Sequence, residues 1–516
     1  MKKDEQTAYW LQSVAIPTYP TLTKNMETDV CVVGAGITGI TTAYLLAKEG
    51  LSVVLVEAND VLHGTTGHTS AKVTAQHGLI YNKLLKSIGK NEARLYYEAN
   101  KNAVKWMRKI VEEENINCEW RDETAYLYAM REKGEKDIED EYAAYEQLHI
   151  KGELTTDIPI SLPIKNALKL SGQGQFHPVK YCLHLLKAFE KLGGKIFQQV
   201  TAVNITSGVR AVLQTKNEKE IGAKYIVCAT HYPFYEGLGM YAMRMYAERS
   251  YVVAATLKEK YAGGMYINAE KPARSIRQTT IDGKQAILLI GDEHRTGEAE
   301  DTSAHYRHLH TFGMEHFHLE KEVAKWSAQD LTTLDEIPYV GSITPNEENI
   351  LIATGFRKWG MTNGTAAAHL IKDIVLGKEN RFRSLYQPSR FHATASVKNF
   401  LKQNVNVVGH LLKGKLEVLS SDIEHLELDQ ATVIREGMDR KGVYKDPSGK
   451  VHIVDTTCTH IGCEVAWNDA EKSWDCPCHG SRFTYTGEVL EGPAEKPLQT
   501  YDYKMIDNIT SDDSGY

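Results

Sequence analysis

Asp29-Val-Cys-Val-Val33 is an apolar run that breaks directly into Gly34-Ala-Gly36-Ile-Thr-Gly39. A helical pattern of Ile40, Ala43, Leu46 and Ala47 carries on to Gly50, and Ser52-Val-Val-Leu-Val56 is a second apolar run ending in Glu57. Strand-like runs on either side of helical spacing read as a βαβ unit. In such a unit Gly34 makes a tight turn, Gly36 lets the backbone approach a pyrophosphate, and Gly39 allows close helix–strand packing. The anion sits at the helix N-terminus, where unsatisfied N–H groups and the helix dipole favour negative charge. Glu57, eighteen residues past Gly39, is spaced to accept hydrogen bonds from a ribose. The expectation is an α/β dinucleotide-binding domain of Rossmann type.

The residues beyond Glu57 bear on which dinucleotide is bound. Gly64-Thr65-Thr66-Gly67-His68-Thr69-Ser70-Ala-Lys-Val-Thr74 is rich in small hydroxyl residues, as a loop passing close to a second mononucleotide would be. Tyr225 to Thr230 is another strand ending in small residues, with Ala229-Thr230 at its close. Ile350 to Thr354 runs into Gly355, then through Trp359-Gly360-Met361-Thr362-Asn-Gly364 into a helix expected over Thr365 to Val375. A second helix N-terminus of this kind can stabilise negative charge on a reduced flavin. Taken in order with Phe176-His-Pro178 and Ile337-Pro-Tyr-Val-Gly341, these segments resemble the amino-acid oxidase and glycine oxidase superfamily of FAD-dependent oxidoreductases over roughly residues 25 to 380. The resemblance implies FAD, held by the fingerprint and Glu57 and contacted by Thr65, Thr66, Thr69, Ser70, Thr230, Gly355, Gly360, Met361 and Thr362. Thr66-Gly67-His68 is similar to the Thr-x-His context in which dimethylglycine-type relatives carry flavin covalently; the reading adopted for His68 is a loop histidine beside noncovalent FAD.

The C-terminal part carries a second signal, Cys458-Thr-His460-Ile-Gly-Cys463 and Cys476-Pro-Cys478-His479-Gly-Ser481. Two short loops each offer a Cys and a His, with short strands (Val465 to Trp467, Lys472 to Asp475) between them to form a hairpin that brings the loops face to face. Zinc also takes two Cys and two His, but Cys-x-His with Cys-x-x-His is not the finger spacing. The segment resembles the Rieske family of the cytochrome bc type. That resemblance implies a [2Fe-2S] cluster held by Cys458, His460, Cys476 and His479, and a disulfide between Cys463 and Cys478. It also implies a covering loop at Gly492-Pro493-Ala494. High-potential members follow the cluster histidine with Gly-Ser-x-Tyr; here Ser481 is kept and Phe483 replaces the tyrosine. One fewer donor to sulfur should lower the potential within the Rieske range of roughly −150 to +300 mV.

Length and composition fit this division. The chain has 516 residues, 42% hydrophobic and 25% charged, as in ordinary globular proteins. A net charge of −7 gives no basic field for nucleic acid. No signal-like N-terminus and no membrane-length apolar run is evident, so a cytoplasmic location is expected. Cys31, Cys118, Cys182 and Cys228 lie in apolar sequence and read as buried reduced thiols.

The expected organisation is an FAD-dependent oxidoreductase over residues 1–385, a helical linker over 386–415 and a small all-β Rieske domain over 416–510. FAD-binding parts fall near 25–80, 165–235 and 325–385, and insertions near 80–165 and 235–325 form an α+β substrate domain. Apolar residues at helical spacing in the linker, with Lys398, Lys402 and Lys413, read as a connecting helix, with a membrane-surface helix as the alternative.

A single fingerprint argues against NAD(P)H as electron source and for a small organic substrate, an amine or amino acid. Electrons then leave one at a time through the cluster to an external acceptor, protein or quinone. Lys358 and Arg249 are the candidate catalytic residues, Lys358 because it lies near where related oxidases place a carboxylate-binding arginine. Two alternatives stand beside this reading: a redox relay reduced by a protein partner, and a flavin-dependent oxygenase fed by the cluster.

Overall fold

The computed structural model describes residues 7–390, 426–436 and 439–502. Past residue 390, the expected linker helix lies outside the described residues. The described residues divide into two compact units, one of residues 7–241, 249–293 and 306–390, the other of residues 242–248, 294–305, 426–436 and 439–502.

The first unit is built on two sheets. One is mostly parallel: Ile350–Thr354, Glu220–Cys228, Met26–Val33, Val53–Val56 and Lys195–Phe197 lie side by side in that order, with Tyr339–Ser342 antiparallel at one edge. Val30 to Val33 and Val53 to Val56 are buried throughout, as expected of parallel strands covered on both faces. The chain leaves Met26–Val33 to one side for Val53–Val56, while Glu220–Cys228 flanks it on the other. Their carboxyl ends frame the topological switch point at which such sheets bind ligands.

The second sheet has nine strands, with Leu319–Thr333 at one edge and Lys72–Val73 at the other. Lys72–Val73 and Asn166–Gln175 both pair within it, although they fall in stretches expected to belong to the FAD-binding part. Alternation and apolar content mark a strand but do not name its partner. A long helix, Lys90–Glu113, lies in the first of the expected insertions.

The second unit holds two four-stranded sheets of antiparallel strand pairs. The strand Asp439–Lys445 packs over Trp474 at Gly442, where an added Cβ would come 2.4 Å from the indole. Val454, Val465, Trp474, Phe483 and Leu498 form a core with four cysteines. His294–His305, expected in the substrate insertion, belongs to this unit: the Ala470 N–H donates to Thr302 Oγ1 at 2.9 Å, and Ser303 donates to Asp469 at 2.8 Å.

Candidate cofactor sites

The fingerprint turn is as tight as its glycines imply. Gly34 has φ +104°, and a Cβ there would lie 2.5 Å from the Ala229 carbonyl oxygen, at the end of the neighbouring strand. A Cβ on Gly39 would come 1.9 Å from the Gly34 oxygen. Gly36 opens the helix Ile37–Lys48. Glu57 accepts from the Ala35 N–H at 2.8 Å and the Asn59 N–H at 3.1 Å. Burial raises its pKa above the ordinary carboxyl value against those donors.

Thr66 turns its hydroxyl to the same helix, accepting from the Ile37 N–H at 3.0 Å. The segment read as a hydroxyl-rich loop contains a short helix, Thr65–His68, before the strand Lys72–Val73. Thr65 donates to the Gln329 carbonyl at 3.4 Å, and the Thr69 hydroxyl accepts from the Ala71 N–H at 3.0 Å. His68 Nδ1 bonds the Gly64 carbonyl at 3.0 Å, so that nitrogen carries the hydrogen.

The second helix starts earlier than expected, at Gly360 and not Thr365. Trp359 to Gly364 read as a glycine-rich turn, yet Gly360 to Gly364 are helical. Gly364 is glycine because a Cβ there would sit 2.5 Å from the Thr38 hydroxyl. The first turns of two helices, Ile37–Lys48 and Gly360–Val375, thus abut at one point and bring two positive helix ends together. Gly355 has φ +76° and ends the strand leading in. Thr354 donates to the His231 carbonyl, and Thr230 to the Tyr232 carbonyl at 2.6 Å. Met361 and Thr362 are buried, and Thr362 donates to the Thr74 carbonyl at 3.1 Å.

His77, which no sequence motif singles out, lies beneath this helix start. Its Nε2 is 2.9 Å from the Thr74 carbonyl, its Nδ1 is 2.7 Å from the Tyr96 hydroxyl, and its ring stacks on Trp359 at 4.7 Å. A carbonyl only accepts, so Nε2 carries the hydrogen. Burial, reinforced by Arg357, pulls the imidazole pKa down to about 3 and keeps it neutral. The signal available in sequence was a histidine three residues beyond the hydroxyl-rich segment.

Of the two candidate catalytic residues, Lys358 is half-buried at φ +44° and follows Arg357, which is also left-handed at +49°. Arg249 is buried in the nine-stranded sheet and donates to the Ser327 hydroxyl at 2.8 Å.

In the second unit the hairpin pairs Ala466–Asn468 with Ser473–Asp475. It sets Cys458 beside Cys476, and the rings of His460 and His479 5.1 Å apart. His479 Nδ1 is buried with no hydrogen-bond partner among the described residues. Two neighbouring imidazoles, one with an orphaned nitrogen, beside two reduced buried thiols are the donor set a Rieske [2Fe-2S] cluster takes. Cys463 and Cys478 are joined by a disulfide. The Ser481 hydroxyl bonds Cys458 and accepts from the Ala494 N–H at 3.0 Å, which ties the Gly492-Pro493-Ala494 loop to the ligand loops. Phe483 is fully buried in the same core.

A dinucleotide fingerprint opening one helix beside the start of a second, and two loops that each offer a Cys and a His, mark a flavoprotein that carries its own iron–sulfur domain. The chain belongs to the family described as "FAD dependent oxidoreductase", matched over residues 29–374, and has a "Rieske [2Fe-2S] domain" over residues 418–502. It binds FAD and a [2Fe-2S] cluster. It is 46% identical over 500 residues to the Bacillus subtilis (strain 168) protein YhfW, named for a Rieske 2Fe-2S iron-sulfur protein, covering 97% of this chain and 98% of that one. The gamma-glutamylputrescine oxidoreductase of Escherichia coli (strain K12) is 22% identical, covering 70% of this chain and 87% of its own length. Among solved structures, glycine oxidase from Geobacillus kaustophilus superimposes with a TM-score of 0.60 at 18% identity, over 71% of this chain and 99% of that one. Among the described residues, no helix is long and apolar enough to cross a membrane.

Proposed function

We propose that this oxidoreductase is a dehydrogenase that oxidises a small amine or amino acid and releases the electrons singly, through its Rieske cluster, to an external acceptor. The observation that carries this reading is a single dinucleotide fingerprint, Gly34 to Glu57, in the same chain as a one-electron carrier at Cys458 to His479. Bound FAD supplies the acceptor for a hydride from the carbon beside the amine, and the cluster takes one electron at a time. Fusion keeps donor and carrier at high effective concentration. The amine is supported by the names of two relatives, a gamma-glutamylputrescine oxidoreductase and a glycine oxidase.

In this reading Gly34, Gly36 and Gly39 admit the pyrophosphate and Glu57 binds the ribose. Thr65, Thr66, Thr69, Ser70 and Thr230 line the remainder of the crevice. Gly355, Gly360, Met361 and Thr362 form the helix start that stabilises negative charge on the flavin. Lys358 and Arg249 are the candidate cations for an anionic group of the substrate. Cys458, His460, Cys476 and His479 hold the cluster, with His479 Nδ1 an unpartnered donor to iron.

The test is an anaerobic screen of amines and amino acids against the loaded full-length protein, tracking loss of the flavin visible band and growth of the reduced-cluster EPR signal. Both changes with one amine are expected. Reduction only by a protein partner would replace this reading with a redox relay. Oxygen uptake matched to a hydroxylated product would make it an oxygenase.

A further inference from the structure

Four consecutive backbone carbonyls in the hydroxyl-rich segment are each held by a buried side chain from elsewhere in the first unit. Trp326 Nε1 donates to the His68 oxygen at 2.8 Å, and Trp10 Nε1 donates to the Thr69 oxygen at 2.7 Å. Arg277 donates to the Ser70 and Ala71 oxygens, both at 2.9 Å. Trp10 is fully buried in the short helix Tyr9–Gln12, with its ring edge-on to His177 at 4.9 Å and the Arg277 guanidinium 5.4 Å from its centroid.

Nothing in the dinucleotide fingerprint asks for this arrangement. The peptide unit is planar and trans, so fixing a carbonyl fixes the N–H on the opposite side of the same plane. Holding the oxygens of residues 68 to 71 toward Trp10, Arg277 and Trp326 therefore sets the direction of the N–H groups of Thr69, Ser70 and Ala71. The Ala71 N–H is taken by the Thr69 hydroxyl, while the Ser70 N–H has no acceptor among the described residues.

We infer that Trp10, with Trp326 and Arg277, is a positioning residue for the flavin, orienting the 68–71 peptides so that the Ser70 N–H faces the bound ring system. The inference rests on the proposed course of FAD along this segment. It makes the N-terminal segment, which precedes the fingerprint, part of the cofactor site. A tryptophan suits the task because its single donor is rigidly placed on a large ring whose burial fixes its direction.

The test uses full-length Trp10→Phe and Trp326→Phe, which keep an aromatic ring and remove one N–H each. FAD dissociation is measured by the fluorescence of released flavin, and the visible band is recorded at saturating FAD. Each variant is expected to raise the FAD dissociation constant about fivefold, the equivalent of one neutral hydrogen bond, and to shift the saturated band. A role in stability alone would leave that band unmoved. Unchanged affinity and band in Trp10→Phe, in Trp326→Phe or in both overturns the inference. Gly36→Val separates the two levels: if it still binds FAD, the fingerprint reading itself fails; if it loses FAD while both tryptophan variants match wild type, only the positioning role fails.

Discussion

The guanidinium of Arg390 donates to both carboxylate oxygens of Asp335, at 2.8 Å and 2.9 Å, with both side chains 3% exposed. Arg390 also donates to the Pro338 and Tyr386 carbonyls at 2.9 Å and 3.0 Å and lies over the Tyr339 ring at 4.3 Å. Arg390 is thereby tied to the turn that feeds the strand Tyr339–Ser342. A buried pair of this kind matters most when one member is lost, since the other is stranded without solvent. Arg390→Met is expected to destabilise the protein by about 3–5 kcal/mol, and Asp335→Leu with Arg390→Met to recover most of that. Urea midpoints of both variants decide; a single variant as stable as wild type removes the argument.

Gly39 is the least replaceable of the fingerprint glycines, because an added Cβ meets a backbone atom that cannot move aside, the Gly34 oxygen at 1.9 Å. Gly39→Ala should push the helix off the strand end, at about 1–3 kcal/mol for the overpacking. The expected outcome is purified protein without yellow colour, whose circular dichroism keeps its helical content. Retention of stoichiometric FAD would contradict this.

Glu141 is fully buried and accepts from three successive N–H groups, Ile80 at 3.2 Å, Tyr81 at 2.8 Å and Asn82 at 2.9 Å, at the start of the helix Tyr81–Ile88. Burial outweighs these donors and pushes its pKa up to about 7. A carboxyl whose pKa is higher in the folded state contributes stability that is complete below its unfolded value and lost as pH rises through the folded one. Stability should fall by a few kcal/mol at most between about pH 4.5 and pH 7 on this account. Urea midpoints at pH 5 and pH 8 will show the fall in wild type and a flatter profile in Glu141→Gln; identical profiles would sink the idea.

Phe483 sits in the core that contains Cys458 and Cys476, so a hydroxyl added there has no solvent to compete for it. Phe483→Tyr is expected to raise the cluster potential by about 40 mV, the one-electron equivalent of about 1 kcal/mol. Ser481→Ala, which removes the hydroxyl bonded to Cys458, should lower it by a similar amount. Redox titration monitored by EPR measures both, and a fall in the tyrosine variant would show that its hydroxyl does not reach sulfur.

The parts legible in sequence were those whose chemistry is written in consecutive residues. Gly34 to Glu57 and Cys458 to Ser481 each carry their ligand contacts and their turns in one short stretch. Parts assembled across the chain were not legible. Trp10, Arg277 and Trp326 converge on four neighbouring carbonyls, yet nothing local distinguishes them from other aromatic or basic residues in strands and short helices. Gly360 and Gly364 read as a turn because glycine disfavours helix; only the approach of Thr38 to Gly364 explains a glycine inside one. Lys72–Val73 reads as an extension of the FAD-binding segment because its partner strand, Asn166–Gln175, lies about a hundred residues away.

The disulfide between Cys463 and Cys478 interleaves in sequence with the ligand cysteines 458 and 476. Any single disulfide among these four cysteines leaves two thiols, and only Cys463–Cys478 leaves the two ligand thiols, Cys458 and Cys476, for iron. Maturation is therefore a contest in time: once Cys458 and Cys476, already adjacent, are oxidised to each other, iron has no thiolate to enter. Protein emptied of cluster and left in air should lose its capacity for reconstitution until reduced, whereas loaded protein stored alike should keep its cluster.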